Sequence, residues 1–337
     1  MDQPEKVSVI IALYNAEKFI VDTLFSVTNQ TWKNIEIIVV NDGSKDSSRE
    51  MVERLNIPNL ILFNRENSGQ CASSNFGLSK SSGELIKFLD ADDIIAHDCI
   101  EKMVLKWREN PNRLVFGQWH YFVNDVTHLK LYNSVVYKDY DSALNWYVDV
   151  LENAGAMLAG WMWLIPRSIL KKAGGWDERL HLMNDFEFST RLILNSDGIG
   201  FAKDAIHYYR KGLENAMTSS MNEKIALSIY TGVNKAQENI LKFENTPRMR
   251  LAFANQFQKW VYHFYPEHLN ITIKMEEIIH ELGGSNLSPK GGRLFAILNF
   301  FLPWKRVMQI QNSLHKTIWK PILKWKHKLK LKQQFDL

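Results

Sequence analysis

Short apolar runs alternate with amphipathic segments along the first 125 residues of the chain. The run at 7–13, VSVIIAL, is apolar at nearly every position, which is typical of a strand buried on both faces of a parallel sheet. Similar runs predict strands at 35–40, 60–63 and 84–89, with a further apolar stretch at 113–123. Apolar residues at helical spacing predict helices between them, at 16–29, 46–55, 70–80 and 98–109. This alternation predicts an α/β fold with a mostly parallel central sheet flanked by helices.

The rest of the chain is predicted to be largely helical. Segments 141–151 and 187–194 have helical spacing and belong to the first predicted domain, which we place at 1–220. From 222 to 279 one predicted helix follows another, so residues 221–285 form a predicted helical C-terminal extension. Residues 286–337 form a predicted basic amphipathic tail.

Composition is ordinary for a globular protein, since 45% of the 337 residues are hydrophobic and 23% are charged. The two cysteines, Cys71 and Cys99, are too few for a disulfide framework. The chain begins without the basic and apolar segments of a secretory signal. These features together predict a cytoplasmic, reducing setting.

Charge is distributed unevenly along the chain. Residues 286–337 hold eleven Lys and Arg against the single acid Asp336, a net charge of about +10, while the other 285 residues carry about −6. Three tryptophans lie among these cations, at Trp304, Trp319 and Trp325. Basic residues interleaved with tryptophan favour a helix lying on an anionic membrane surface, and the apolar run at 294–302 is too short to span a bilayer. The alternatives are a solvated, partly disordered tail and a nucleic-acid-binding tail, which is disfavoured because no nucleic-acid module accompanies the charge.

Polar residues follow three of the predicted strands, and ligands of an open α/β sheet bind at the carboxyl ends of its strands. The sharpest signal is the D-A-D-D sequence that contains Asp90 and Asp92. Closely spaced carboxylates repel one another unless a cation joins them, and Mg2+ or Mn2+ takes such oxygen ligands together with substrate phosphates. We therefore predict a divalent-cation site at Asp92 and Asp90. The alternative is an acidic turn in which Asp92 or Asp93 caps the next helix.

Tyr14 and Asp42 lie at the ends of the first two predicted strands. A carboxylate at Asp42 is able to accept the N–H of a pyrimidine base, and Tyr14 is able to pack on the face of that base. Both are therefore candidate nucleotide contacts. The alternatives are structural, because Asn-Asp-Gly-Ser suits a tight turn and Tyr14 by itself suits a core aromatic.

The second half of the first domain adds two acids and an arginine. Asp185 and Glu187 lie near the start of a predicted helix, where the helix dipole favours acidic residues, so capping is the alternative to catalysis for either one. A carboxylate there is able to deprotonate an acceptor hydroxyl if the fold brings it opposite the D-A-D-D sequence. Arg210 ends a short apolar stretch and is a candidate phosphate contact, with a surface arginine as the alternative.

Taken together, six segments resemble the family 2 glycosyltransferases, whose fold is the Rossmann-like GT-A fold. They run in consistent order from residue 7 to about 220: VSVIIALYNAEKFI, SVTNQTWKNIEIIVVNDGS, ENSGQCASSNFGL, GELIKFLDADD, AGGWDERL and NDFEFSTRL. The resemblance implies a catalytic domain at 1–220 that transfers a sugar, with inversion, from a nucleotide-diphospho-sugar with the help of Mn2+ or Mg2+. It favours UDP, with dTDP and GDP open. The predicted membrane-surface tail fits an enzyme whose acceptor is a glycan or lipid-linked glycan at the inner face of the cell membrane.

The resemblance also implies roles for single residues. It makes Asp185 the catalytic base and Asp92 the principal metal ligand, with Asp90 at the ribose and the metal. It places Tyr14 and Asp42 at the nucleotide base.

Two further positions follow from the same resemblance. Trp176 resembles a family position that lines the acceptor side. Arg210, with Thr218 and Ser219 after it, resembles the segment that closes over the diphosphate.

The chain departs from the family pattern at Asn184, where an acid often precedes the base, and at Ser74, where an arginine is common. It also lacks the histidine that often follows the Tyr-Arg pair as a further metal ligand. Rival enzyme classes fit less well: an oxidoreductase needs G-x-G-x-x-G after the first strand, where this chain has A-L-Y-N, and a sugar-nucleotide pyrophosphorylase usually opens with a Gly-rich basic loop. The remaining alternative is a non-catalytic, membrane-associated scaffold with a degenerate glycosyltransferase domain.

Overall fold

The computed structural model describes residues 4–123, 125–126, 130–131, 134–153, 158–212, 221–314 and 317. The chain forms two compact units, Met1–Ala252 and Phe253–Leu337. The strands are β1 (Val7–Leu13), β2 (Ile35–Asp42), β3 (Leu60–Arg65), β4 (Leu85–Phe88), β5 (Ile94–Ile95), β6 (Leu114–Phe122), β7 (Lys130–Leu131), β8 (Trp163–Pro166) and β9 (Ile199–Arg210). The helices are α1 (Ile20–Thr28), α2 (Ser48–Arg54), α3 (Gln70–Lys80), α4 (Cys99–Glu109), α5 (Ala143–Asn153), α6 (Arg167–Ala173), α7 (Asn184–Leu194), α8 (Glu223–Leu241), α9 (Pro247–Phe264), α10 (Leu269–Glu281), α11 (Arg293–Phe301) and α12 (Trp304–Leu314).

The first unit is built on one sheet with the strand order β3-β2-β1-β4-β8-β6-β9-β5, and β7 pairs with β6. Strands β1 to β4 are parallel to one another, as the strand–helix alternation predicts. Central strands of this half are buried on both faces, which accounts for their almost unbroken apolar sequences. Helix α3 lies close against the sheet because Gly77 has no side chain, and a Cβ there would come within 2.6 Å of Ile10 Cγ2.

The second half of the sheet is mixed in direction. Strand β8 runs antiparallel to both of its neighbours, β4 and β6, while β6 and β9 are parallel to each other. The predicted α/β fold is confirmed, but the sequence did not indicate the reversed strand. A buried strand is apolar whichever way it runs, so the hydrophobic pattern carries no information about its direction.

The first unit extends past residue 220 and includes α8. The hydroxyl of Ser228 on α8 accepts the backbone N–H of His181 at 2.8 Å and of Leu182 at 3.1 Å. Gly232, one turn farther along the helix, lies so close to Met183 that a Cβ would be 2.9 Å from its carbonyl oxygen. Helix α8 therefore supports the segment that leads into Asp185 at the start of α7.

The second unit is helical in the part that the structure describes. It contains α10, α11, α12 and most of α9. None of the described helices combines the length and the apolarity that crossing a membrane requires. Residues 315–316 and 318–337 of the predicted basic tail, including Trp319 and Trp325, lie outside the described residues, and the predicted boundaries at 220 and 285 stay predictions.

Candidate active site

The loops that follow β1 and β2 hold each other in place. The backbone N–H of Asn15 donates to Ser44 Oγ at 3.1 Å, and Asn15 Oδ1 accepts the backbone N–H of Lys45 at 2.8 Å. Asn15 is left-handed, with φ of 49°, a conformation that asparagine tolerates better than most residues. The side chain of Tyr14, just before it, is 48% exposed. Tyr14 is therefore not the core aromatic of the alternative interpretation, and its side chain is accessible to a ligand.

Asp42, at the end of β2, is buried and heavily hydrogen-bonded. Its Oδ1 accepts the backbone N–H of Ser68 at 2.8 Å and the hydroxyls of Ser68 and Ser73 at 3.2 and 2.9 Å. Its Oδ2 accepts the N–H of Gly69 at 2.9 Å. Asp42 thus fixes the loop before α3. Only the remaining lone pair of Oδ2 is left to accept a hydrogen bond from a nucleotide base. The structural role of Asp42 is shown, and its nucleotide contact stays a prediction.

The D-A-D-D sequence forms a turn that its last residue anchors. Asp93 is fully buried, and its carboxylate accepts the backbone N–H of Arg210 at 2.9 Å and meets His207 Nε2 at 2.7 Å. The carbonyl oxygen of Asp92 accepts Arg210 Nε at 2.7 Å. Asp90 and Asp92 remain partly exposed. The turn thus separates a structural acid from two acids that a ligand is able to reach.

Asp185 lies in the electrostatic field of this turn, although about 95 positions separate the two in sequence. Burial, then the charges of Asp92 and Asp185, hold the pKa of Asp90 well above its usual range. Burial also raises the pKa of Asp92, and the Arg210 guanidinium offsets part of this rise. Burial raises the pKa of Asp185 to about 6, against the lowering effect of a hydrogen bond from Gly160. The fold therefore brings the predicted base close enough for its charge to act on Asp90, one of the two predicted metal ligands.

The two carboxylates Asp90 and Asp92 suit a hard divalent cation. Like charges forced together under partial burial are relieved when a cation joins them. Within the described residues, no three acidic, histidine or cysteine side chains group closely enough to hold a metal ion by themselves. A pair of carboxylates completed by substrate phosphates is the usual arrangement for Mg2+, so the residues present fit a metal that binds with its substrate.

Asp185 is held at the start of α7 by the backbone of a neighbouring segment. The N–H of Gly160 donates to Asp185 Oδ1 at 2.8 Å. Gly160 also packs against Trp176, where an added Cβ would lie 2.2 Å from the indole Cη2. This close approach requires glycine at position 160. One oxygen of Asp185 is thus fixed, and the other has no hydrogen-bond partner among the described residues.

Trp176 forms a buried wall beside Asp185. Its ring stacks on Phe188 at 4.0 Å and meets Phe88 edge-on at 5.2 Å. Asn75 fixes its backbone through two hydrogen bonds, of 2.7 Å to the N–H and 2.9 Å to the carbonyl. The indole Nε1 is buried and meets no acceptor among the described residues. The structure shows a supporting role for Trp176, and its contact with the acceptor stays a prediction.

Glu187, the other acid of the N-D-F-E segment, is structural. Its two oxygens pair with Arg191 Nε at 2.7 Å and Nη2 at 2.8 Å, and the same guanidinium donates to the carbonyl oxygens of Ala173 and Gly175. The amide of Asn184 donates to Cys71 Sγ at 3.2 Å. Asp185 is therefore the acid of this segment that remains available for catalysis.

Arg210 is buried at the end of β9. Its guanidinium carbon lies 4.6 Å from the ring centre of Phe19 and 4.4 Å from that of Phe122. Its Nη2 has no hydrogen-bond partner within the part of the chain that the structure describes. Arg210 thus holds the D-A-D-D turn through the carbonyl oxygen of Asp92. The alternative interpretation, an arginine on the protein surface, did not predict this role. Its phosphate contact stays a prediction, and Thr218 and Ser219 lie outside the described residues.

Sequence reasoning missed an aromatic stack that links the two halves of the site. Trp161 stacks on His207 at 3.9 Å and on Tyr209 at 5.5 Å. Its carbonyl oxygen accepts the amine of the fully buried Lys87 at 2.8 Å. Burial and the neighbouring aspartates, Asp90 first, raise the pKa of Tyr209, which places its phenol near the carboxylates. The sequence signal for this stack is that His207 and Tyr209 are two positions apart, because residues i and i+2 of a strand lie on the same face of the sheet.

Comparison with known proteins identifies the family. The family model "Glycosyl transferase family 2" matches residues 8–174. The chain contains a glycosyl transferase family 2 domain. The match includes Tyr14, Asp42 and the D-A-D-D turn of this family 2 chain, whereas Trp176, Asp185 and Arg210 lie beyond it.

Curated relatives match parts of the family 2 chain. Glycosyltransferase GlyA of Streptococcus pneumoniae is 38% identical over 120 residues, which are 35% of this chain and 17% of GlyA. EpsH of Bacillus subtilis is 31% identical over 210 residues, 60% of each chain. The chain thus spans less than two thirds of the length of these relatives.

A solved structure confirms the fold of this family 2 chain. S. aureus TarS residues 1–349 in complex with UDP-GlcNAc align with a TM-score of 0.60 at 19% identity, covering 84% of this chain and 93% of that one. This likeness confirms the GT-A fold that the sequence predicts.

Proposed function

We propose that the protein is an inverting glycosyltransferase, which moves a sugar from a nucleotide-diphospho-sugar to a hydroxyl of a glycan or lipid-linked glycan. The observation that carries the proposal is that the charge of Asp185 acts on Asp90, which shares the D-A-D-D turn with Asp92. These carboxylates come from opposite halves of the first unit, yet each of Asp90 and Tyr209 lies in the field of Asp185. A site with a base on one side and phosphate-side acids on the other suits glycosyl transfer.

Asp185 is the proposed base. Its carboxylate takes the proton of the acceptor hydroxyl as that oxygen attacks the anomeric carbon, on the face opposite the diphosphate. The bond from the anomeric carbon to the diphosphate oxygen breaks, so the sugar is transferred with inversion. A pKa of about 6 keeps Asp185 ionised at neutral pH while leaving it more basic than an ordinary aspartate. The Gly160 N–H fixes one oxygen, which orients the other.

Asp92 and Asp90 are the proposed metal ligands, for Mn2+ or Mg2+. When bound there, a divalent cation neutralises charge on the diphosphate leaving group. The chain's own contribution is to hold both acids on a turn that Asp93 anchors to β9. Tyr14, with its exposed ring, is the proposed stacking contact for the nucleotide base, and Arg210 the proposed cation near the diphosphate.

UDP is the proposed nucleotide. Supporting it, TarS, which shares the fold, was solved in complexes with UDP-GlcNAc and with UDP. The proposed setting is the inner face of the cell membrane, with the basic tail from residue 286 on an anionic surface, because this segment carries about +10. A lipid-linked acceptor is consistent with that setting.

Ligand-induced thermal stabilisation tests the donor and the metal together. UDP-, dTDP- and GDP-sugars are added to the full chain with Mn2+, with Mg2+ or with EDTA, since a ligand that binds only the native state raises the melting temperature. We expect a metal-dependent shift for UDP-sugars, lost in Asp92→Asn and kept in the control Asp22→Asn, which changes an exposed acid on α1. An unchanged shift in Asp92→Asn contradicts the metal assignment. No shift with any donor favours the non-catalytic scaffold.

A further inference from the structure

Helix α11 in the second unit carries an unusual exposed apolar face. Phe300 is 84% exposed, Phe301 75% and Ile297 60%, and Ala296 is exposed as well. These positions follow the i, i+1, i+4, i+5 pattern and so share one face of the helix. We call these four residues the α11 ridge. Large apolar side chains grouped on a surface mark a site of interaction.

The opposite side of the α11–α12 pair is anchored within the second unit. Phe295 on α11 and Val307 on α12 are buried. At the start of α12, the Trp304 ring meets Tyr262 of α9 edge-on at 4.9 Å and Tyr265, just after the end of α9, at 5.3 Å. The ridge is therefore presented outward by helices that are packed on their other side, and its exposure does not reflect a helix without a core.

The chain segment that contains the ridge carries charges of one sign. Between residues 286 and 314 there are four basic residues and no acid. Lys290, Arg293 and Arg306 are exposed, and Lys305 pairs with Glu276 at 2.6 Å. Such a surface repels a second copy of itself, because both copies would bring cations to the contact. An anionic partner complements the charge, and an apolar interior beneath that charge complements the ridge.

We propose that the α11 ridge inserts into an anionic lipid surface, with Lys290, Arg293 and Arg306 at the headgroups. A partly apolar, partly basic helix lies in the interface with its apolar face buried at the boundary of headgroups and acyl chains. This inference deepens the membrane partner proposed above and rests on it, but it is independent of sugar transfer. It moves the main membrane contact from the lysine-rich end to residues 296–301.

Vesicle binding of the full chain tests the ridge. Co-sedimentation is measured with phosphatidylcholine vesicles and with vesicles that also contain phosphatidylglycerol, without nucleotide or acceptor. Removing each inserted phenylalanine should lower the partition coefficient about 10-fold, or about 1.4 kcal/mol. The variant Phe300→Ser/Phe301→Ser should therefore bind anionic vesicles roughly 100-fold more weakly. The control Phe243→Ser removes a 70% exposed phenylalanine of the first unit and should bind like wild type.

Two outcomes would overturn the inference, and a third would bear on the proposed sugar transfer alone. If the double variant binds anionic vesicles as wild type does, the lysine-rich end is the anchor. If wild type does not bind anionic vesicles, and the double variant converts a dimer to a monomer in size-exclusion chromatography, the ridge is an interface with a second copy. Vesicle binding without any nucleotide-sugar binding would refute the proposed transfer and leave the ridge intact. Unchanged far-UV circular dichroism shows that the double variant folds.

Discussion

Replacing Gly160 by alanine would place a methyl carbon where the proposed base and its supporting tryptophan already lie. The new Cβ would be 2.2 Å from Trp176 Cη2 and 2.9 Å from Asp185 Oδ1. Favourable carbon contacts lie near 3.5–4.0 Å, so the atoms must separate by more than about 1 Å. Trp176 has no room to retreat, because Phe188 and Phe88 pack against its ring. The displacement therefore falls on Asp185 and on the backbone of residue 160.

Two magnitudes follow for Gly160→Ala. Overpacking of this kind costs about 1–3 kcal/mol of unfolding free energy. A misplacement of about 1 Å in a catalytic group costs roughly 100-fold in rate, so we expect kcat for donor turnover to fall by about that factor. The donor-induced thermal shift should remain, because the three atoms nearest the added Cβ belong to Trp176 and Asp185 and not to Asp90 or Asp92.

The assay for this prediction is release of nucleoside diphosphate, compared with chemical unfolding of the same variant. Gly292→Ala is the matched control, since no atom lies within 4 Å of its added Cβ, and both quantities should stay at wild-type values. Wild-type turnover in Gly160→Ala would refute the reasoning that Asp185 must be held by this glycine.

Three further predictions concern single side chains. In the folded protein burial raises the pKa of Asp185 from 3.8 to about 6, so its protonated form stabilises the fold below about pH 4 and this stability is lost as pH rises through 6. At pH 7 the free energy of unfolding of Asp185→Asn should consequently be about 1–3 kcal/mol higher than that of wild type. At pH 4 the two proteins should have the same free energy of unfolding, as measured by urea denaturation. Asp42→Ala should cost about 1–3 kcal/mol in the same measurement, because it removes the acceptor of the buried Ser73 hydroxyl and of the partly buried N–H groups of Ser68 and Gly69. Tyr14→Ala should weaken nucleotide binding about 10-fold in calorimetry and change stability by less than about 0.5 kcal/mol, since its ring is half exposed.

The parallel half of the fold was predictable because its hydrophobic pattern and its turns agree. Helix α3 has the predicted bounds, Gln70–Lys80, and the apolar stretch at 113–123 is strand β6. Strand β9 was recognised only at its end, because the consecutive exposed residues Lys203 and Asp204 break the apolar alternation where Asp204 is left-handed, with φ of 61°. Periodicity describes burial, and it fails where a strand is buried only in part.

The acids of the candidate site could be predicted from the sequence. Which of them are structural and which are accessible to a ligand could not. Within one turn Asp93 is structural while Asp90 and Asp92 are partly exposed, and within one helix Glu187 pairs with Arg191 while Asp185 does not. Those differences arise from partners that are distant in sequence, such as His207 for Asp93. Spacing along the chain contains no information about them.

Donor turnover by wild type and by Asp185→Asn tests the central claim most directly. Nucleoside diphosphate release is followed at neutral pH with Mn2+ and the donor that gives the largest thermal shift, with Asp22→Asn as the control. General base catalysis contributes about 10²–10⁴-fold, so the account predicts a loss of that size in Asp185→Asn with donor binding retained. Turnover in Asp185→Asn equal to that of wild type would contradict the account.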